Sequence, residues 1–187
     1  MGQAILLTGN PGCGKTTLIQ RVIAQLSTPA GGFYTQEIRE RGIRKGFEIV
    51  TLDGRRGILA HSNIHGPPKV GKYGVNISAL DMIAVVSIQA AVAEHKIVIV
   101  DEIGPMEILS ERFREAVMYA LHGDKTLFGA IVKRSISFTD QIKSMPNVTV
   151  LEVRRENRDA LVDHILALMK HRSASRWFEL VTLLEFI

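Results

Sequence analysis

Ala4-Ile5-Leu6-Leu7-Thr8 running into Gly9-Asn10-Pro11-Gly12-Cys13-Gly14-Lys15-Thr16 decides how this chain is read. The apolar run stops at glycine, as a buried parallel strand does. The eight residues that follow match G-x-x-x-x-G-K-[ST] in full, and the motif needs a strand before it and a helix after it. The helix is there: Leu18, Ile19, Val22, Ile23 and Leu26 recur at offsets of one, three and four, and Pro29 and Gly31 end it. Glycines let backbone N–H groups turn inward around phosphate oxygens, and the helix N-terminus adds partial positive charge. Gly9 to Thr17 is therefore the expected nucleotide-contacting run. In it Lys15 reaches the β and γ phosphates and the Thr16 hydroxyl takes Mg²⁺. Cys13 reads as a filler at a variable position.

A phosphate loop holds nucleotide without activating water, so carboxylates are expected at the end of a neighbouring strand. Ile97-Val98-Ile99-Val100 is a wholly apolar run closed by Asp101 and Glu102. Asp101 is expected to hold Mg²⁺ and Glu102 to orient or deprotonate the attacking water. The pair favours hydrolysis over transfer to an organic acceptor. Glu107, in Gly104-Pro105-Met106-Glu107, lies near the same edge or is a surface carboxylate. Charge on the γ-phosphoryl group calls for a further cation, for which Arg39, Arg44, Arg134 and Arg158 are the candidates.

Further out, residues 32–62 are rich in aromatic and β-branched residues, with turns at Arg41-Gly42 and Asp53-Gly54, and read as an antiparallel meander. Val70 to Val75 is a loop near the nucleotide or a short strand. Helices are expected over Ser78–Glu94, over Ser110–Leu121 with Leu109, Phe113, Ala116, Val117 and Ala120 on one side, and over Ile136–Met145. Strands are expected over Thr126–Val132 and Val148–Val153. Asn157 can cap a last helix whose stripe is Leu161, Val162, Ile165, Leu166 and Met169. Alternating strands and helices imply an α/β fold with a mostly parallel sheet covered on both faces.

The 187 residues suffice for one domain. With one cysteine, an internal disulfide framework is excluded and a thiolate zinc site is disfavoured, and a reducing cytoplasmic compartment is expected. Net charge is +4, which suits a polyphosphate ligand or weak nucleic-acid contact without choosing between them. The Arg39–Arg56 stretch holds six basic residues against three acidic ones and reads as a mixed solvated face rather than a nucleic-acid track. No DNA partner is expected, an RNA or protein partner stays open, and the chain is expected as a monomer or weak homo-oligomer. Met82 to Ala93, an uncharged run in the middle of the chain, falls short of a bilayer span, so no membrane association is expected.

GNPGCGKTTL (9–18), GGFYTQEIRERGIRKGFEIVTLDG (31–54), VGKYGVNI (70–77), VIVDEIGPMEILSERF (98–113) and RENRDALVDHIL (155–166) together resemble the small P-loop nucleoside-triphosphatases of thermophilic prokaryotes. That family includes the vertebrate cancer-related nucleoside-triphosphatase. The resemblance implies a RecA-like fold and Mg²⁺-dependent hydrolysis of ATP, GTP, CTP and UTP. It also implies a phosphate loop at Gly9 to Thr16, a second nucleotide segment at Ile97, Val98, Ile99, Val100, Asp101, Glu102, Ile103 and Gly104, and Glu102 as the catalytic carboxylate. Glu156-Asn157-Arg158 matches the family's ENR, which either caps the last helix or touches nucleotide. Two departures stand out: the stretch 130–135 lacks an expected proline, which weakens any role for Arg134, and residues 171–187 have no counterpart. The domain is thus expected to span 1–170. The apolar tail 171–187 is a docking segment, an oligomer contact or a segment foreign to the domain. Two other functions fit the same loop: a nucleoside or nucleotide kinase, and a nucleotide-dependent switch with an RNA or protein partner.

Overall fold

The computed structural model describes residues 2–170, so the expected tail over 171–187 lies outside the described residues. In chain order the elements are β1 (Ala4–Thr8), α1 (Lys15–Ile23), β2 (Ala30–Glu40), β3 (Ile43–Thr51), β4 (Arg56–His61), β5 (Lys69–Val70) and β6 (Tyr73–Val75). There follow α2 (Ile77–Glu94), β7 (Ile97–Ile103), α3 (Glu111–His122), β8 (Thr126–Ile131), α4 (Ser137–Lys143), β9 (Val148–Glu152) and α5 (158–170).

All nine strands form one sheet in the order β5-β6-β4-β3-β2-β7-β8-β1-β9. From β2 to β9 every pairing is parallel; from β2 outward to β5 every pairing is antiparallel. The sheet is therefore mixed. The antiparallel meander joins the parallel half through β2, which is both the edge of that half and the first strand of the meander. β8 separates β1 from β7, the RecA-like arrangement that the resemblance implied. The Val70 to Val75 stretch forms most of a short hairpin at the far edge, with Val70 opposite Tyr73, so it does not lie by the phosphate loop.

Side-chain alternation explains why the sheet is covered on both faces. Ala4, Leu6, Val98 and Val100 point into a core closed by Leu80, Ile88, Phe113 and Val117. Their neighbours Ile5, Leu7, Ile97 and Ile99 point into a second core closed by Leu18, Ile19, Val22, Val162 and Ile165. Each fully buried side chain of this size contributes about 1.5–3 kcal/mol. Phe33 and Phe113 meet edge to face at 6.2 Å.

α2 is longer and more apolar than the uncharged run suggests. Its 18 residues have a mean hydropathy of 1.6, enough by length and composition to cross a membrane. It nevertheless buries Leu80, Ala84, Val85, Ile88 and Ala91 in the first core. Its middle, Leu80–Val85, is a π-helical stretch that the sequence period does not signal. In α3 the Ser110 hydroxyl accepts the Phe113 amide as an N-cap, while Leu109 is 41% exposed and does not join the expected stripe.

Candidate functional site

β1 ends at Thr8, whose carbonyl accepts the Val153 amide at 2.7 Å, so the exits of β1 and β9 lie side by side. The chain then turns through Gly9 (φ 152°), Gly12 (φ 76°) and Gly14 (φ 99°), conformations that favour glycine. At Gly9 a Cβ would also stand 2.6 Å from the Val153 carbonyl oxygen. α1 begins at Lys15 with no side-chain cap and no acidic residue in its first turn, which leaves its N-terminal field open to an anion. The Lys15 ammonium curls back to donate to the Gly9 carbonyl at 3.2 Å and lies 3.9 Å from Glu102 Oε2.

β7 delivers the carboxylates. Its register against β8 jumps from Val100↔Gly129 to Ile103↔Ile131, so two residues of β7 face one of β8. Such a bulge re-aims side chains, and here the residues concerned are Asp101 and Glu102, joined by a cis peptide. Asp101 is 1% exposed, and among the described residues neither carboxylate oxygen has a hydrogen-bond partner. Burial pushes its carboxyl up to about 7, against the nearby Thr16 hydroxyl and with the Glu102 charge. Glu102 is pushed up by burial and held back by Lys15. Glu107 is 5% exposed, and burial, aided by the charges of Glu102 and Asp101, raises it to about 8. It is therefore a buried neighbour of the pair, not a surface carboxylate. Gly104 leaves the space in which they meet: a Cβ there would be 3.0 Å from Glu107 Oε2 and 3.2 Å from Glu102 Oε1.

The profile of a family described as NTPase matches residues 4–166. The chain belongs to the NTPase family. The nucleoside-triphosphatase THEP1 of Thermotoga petrophila is 49% identical over 166 residues, 89% of this chain and 92% of that one. Among solved structures, THEP1 from Aquifex aeolicus superposes with a TM-score of 0.83 at 33% identity, covering 89% of this chain and 99% of the other. A human cancer-related nucleoside triphosphatase gives 0.77 at 32% identity, covering 91% and 98%. The family is the one the sequence resembles.

Not every residue expected in this NTPase site reaches it. Ile97, Val98, Ile99, Val100 and Ile103 point into the two cores, because strand alternation in a sheet covered on both faces leaves them nowhere else to go. Of that run, Asp101, Glu102 and Gly104 belong to neither core. Arg39 and Arg44 do not come near the site. Tyr34 is level with Asp101, so Arg39 lies roughly 16 Å further along β2. Both arginines instead bind Glu37, and Arg44 also donates to the Tyr73 hydroxyl. Arg134 is exposed on the loop after β8, its carbonyl taken by Lys143. The Asn157 side chain does not cap α5: its oxygen accepts the Arg154 amide and its amide donates to the Glu152 carbonyl, folding the turn between β9 and α5. The next residue, Arg158, is laid against the loop, and a Cβ on Gly14 would be 3.1 Å from its Nη1.

That turn also builds a feature the sequence reading missed. Residues 152–156 face residues 10–13 across a cleft of about 390 Å³. Finding it from sequence requires knowing that β9 pairs with β1, which no local pattern states.

Proposed function

We propose that this chain hydrolyses nucleoside 5′-triphosphates, ATP, GTP, CTP and UTP, to the diphosphate and phosphate with Mg²⁺ as cofactor. The observation that carries this reading is the meeting of Lys15 and Glu102 at 3.9 Å beside the phosphate loop. Lys15 neutralises charge on the β and γ phosphates while the loop amides cradle them. Glu102 orients a water at the γ-phosphorus and takes its proton. The new O–P bond forms as the β–γ bridging bond breaks, and the bridging electron pair leaves on the diphosphate. Burial, which raises the Glu102 carboxyl, makes it a stronger base.

Thr16 and Asp101 fit a divalent cation, because Asp101 presents two buried oxygens without partners among the described residues, next to the Thr16 hydroxyl. When bound, Mg²⁺ supplies charge neutralisation to the phosphate oxygens. A kinase would need an acceptor pocket with an arginine-rich lid, for which Arg39–Arg56 is the candidate stretch; there Arg39, Arg44, Arg55 and Arg56 are paired with Glu37, Asp53 and Glu48. Phosphate release from the four triphosphates, with Mg²⁺ and with a chelator, tests the proposal. Metal-dependent release without an acceptor is expected. Nucleotide binding with no release, or diphosphate formation that requires an added organic acceptor and yields no free phosphate, would exclude it.

A further inference from the structure

Among the described residues, Arg158 Nε is buried with no hydrogen-bond partner. Its nearest carboxylate, Asp159, lies 3.7 Å away and is already hydrogen-bonded to Arg21. The side chain as a whole is 35% exposed, but its Nε is not, and a buried N–H without an acceptor costs free energy unless a ligand supplies one. The same side chain is pressed against the last glycine of the phosphate loop, with its Cδ 3.0 Å from where a Gly14 Cβ would be. Any other residue at 14 would push the guanidinium away.

The direction of approach matters. The order β7-β8-β1-β9 puts Glu102 and Arg158 on opposite flanks of the loop that leaves β1. Lys15 and Glu102 mark the β7 flank as the side of the transferred phosphoryl group. The 390 Å³ cleft lies on the β9 flank, beside Arg158, and has room for a nucleoside. A triphosphate laid across the loop therefore runs from nucleoside at β9 to γ-phosphate at β7.

We propose that Arg158 is a phosphate-binding residue that grips, from the β9 flank, the part of the substrate retained in the nucleoside diphosphate product. The inference rests on the hydrolase reading above. Asn157 is its positioning residue, through the turn it ties between Glu152 and Arg154. Because the contact is made equally in substrate and product, Arg158 contributes uniform binding, which lowers KM without raising kcat.

The test is calorimetric titration with ADP, paired with steady-state ATP kinetics, for the wild type, Arg158→Ala and Arg158→Lys. Loss of one charge-assisted contact should weaken ADP binding by about tenfold to a hundredfold and raise KM in parallel. Turnover at saturation should stay within about twofold. Lysine, a point charge without the fork, should recover part of the loss. It also decides the matter if the alanine variant does not fold. Unchanged ADP affinity in a folded variant would overturn the inference, as would a fall in kcat with ADP affinity intact. A wild type that binds no nucleotide would bring down the hydrolase reading as well, whereas wild-type binding indifferent to Arg158 would bring down this inference alone.

Discussion

The two halves of the sheet differ in the polar groups they bury. In the antiparallel half, arginines meet carboxylates: Arg39 and Arg44 share Glu37, Arg55 holds Asp53, and Arg56 holds Glu48. The parallel half carries exposed pairs too, with Lys133 and Arg154 both on Glu152, but several of its polar groups are buried and left open. Among the described residues, the buried side-chain atoms without a partner are Thr8 Oγ1, both oxygens of Asp101, Arg158 Nε and Asn147 Oδ1. All but Asn147 sit where β1, β7 and β9 exit toward the phosphate loop. A fold tolerates such groups where a ligand completes them, so satisfaction, more than charge count, separates the working edge from the solvated face.

The largest break in this contrast should come from Lys15→Ala, which removes the cation at the open edge. Nucleotide affinity is expected to fall by about a hundredfold or more, read by calorimetry, with the fold intact by circular dichroism.

Glu107 gives the next effect, on stability. Its carboxyl is raised from an ordinary 4.5 to about 8, so between those values the folded chain keeps a proton that the unfolded chain has lost. Stability of the nucleotide-free protein should therefore fall as pH rises through that window. Glu107→Gln should make the fall shallower and gain on the order of a few kcal/mol at pH 8, measured by denaturant unfolding. A steeper fall in the variant would refute the placement of Glu107.

Smallest of all should be Arg56→Ala on the satisfied face. Exposed ion pairs contribute little, so the melting temperature should move by no more than about 2 °C and phosphate release should not change.

The parallel half was the more legible in sequence, for a physical reason. Its chemistry lies at strand ends, and the runs 4–8 and 97–100 are apolar enough to announce both strands and the residues that follow them. The meander was legible as well, because Arg41-Gly42 and Asp53-Gly54 mark its turns. What the sequence hid was pairing between distant strands. That β9 lies beside β1, and so brings 152–158 to the loop, depends on long-range register. Without it Arg39 and Arg158 look equally eligible, and only the structure binds one to Glu37 and sets the other over Gly14. The π-helical stretch in α2 was hidden because hydrophobic period marks a helix without marking a local change in its hydrogen-bond spacing.

In the proposed reaction Glu102 serves the attack of water and not the holding of nucleotide. Glu102→Gln keeps the side chain's shape and removes its basicity, so ATP binding and phosphate release should be measured on the same preparation. Affinity close to wild type and turnover lower by about a hundredfold to ten-thousandfold are expected. Full turnover in that variant, or a loss of binding that matches the loss of turnover, would contradict that role.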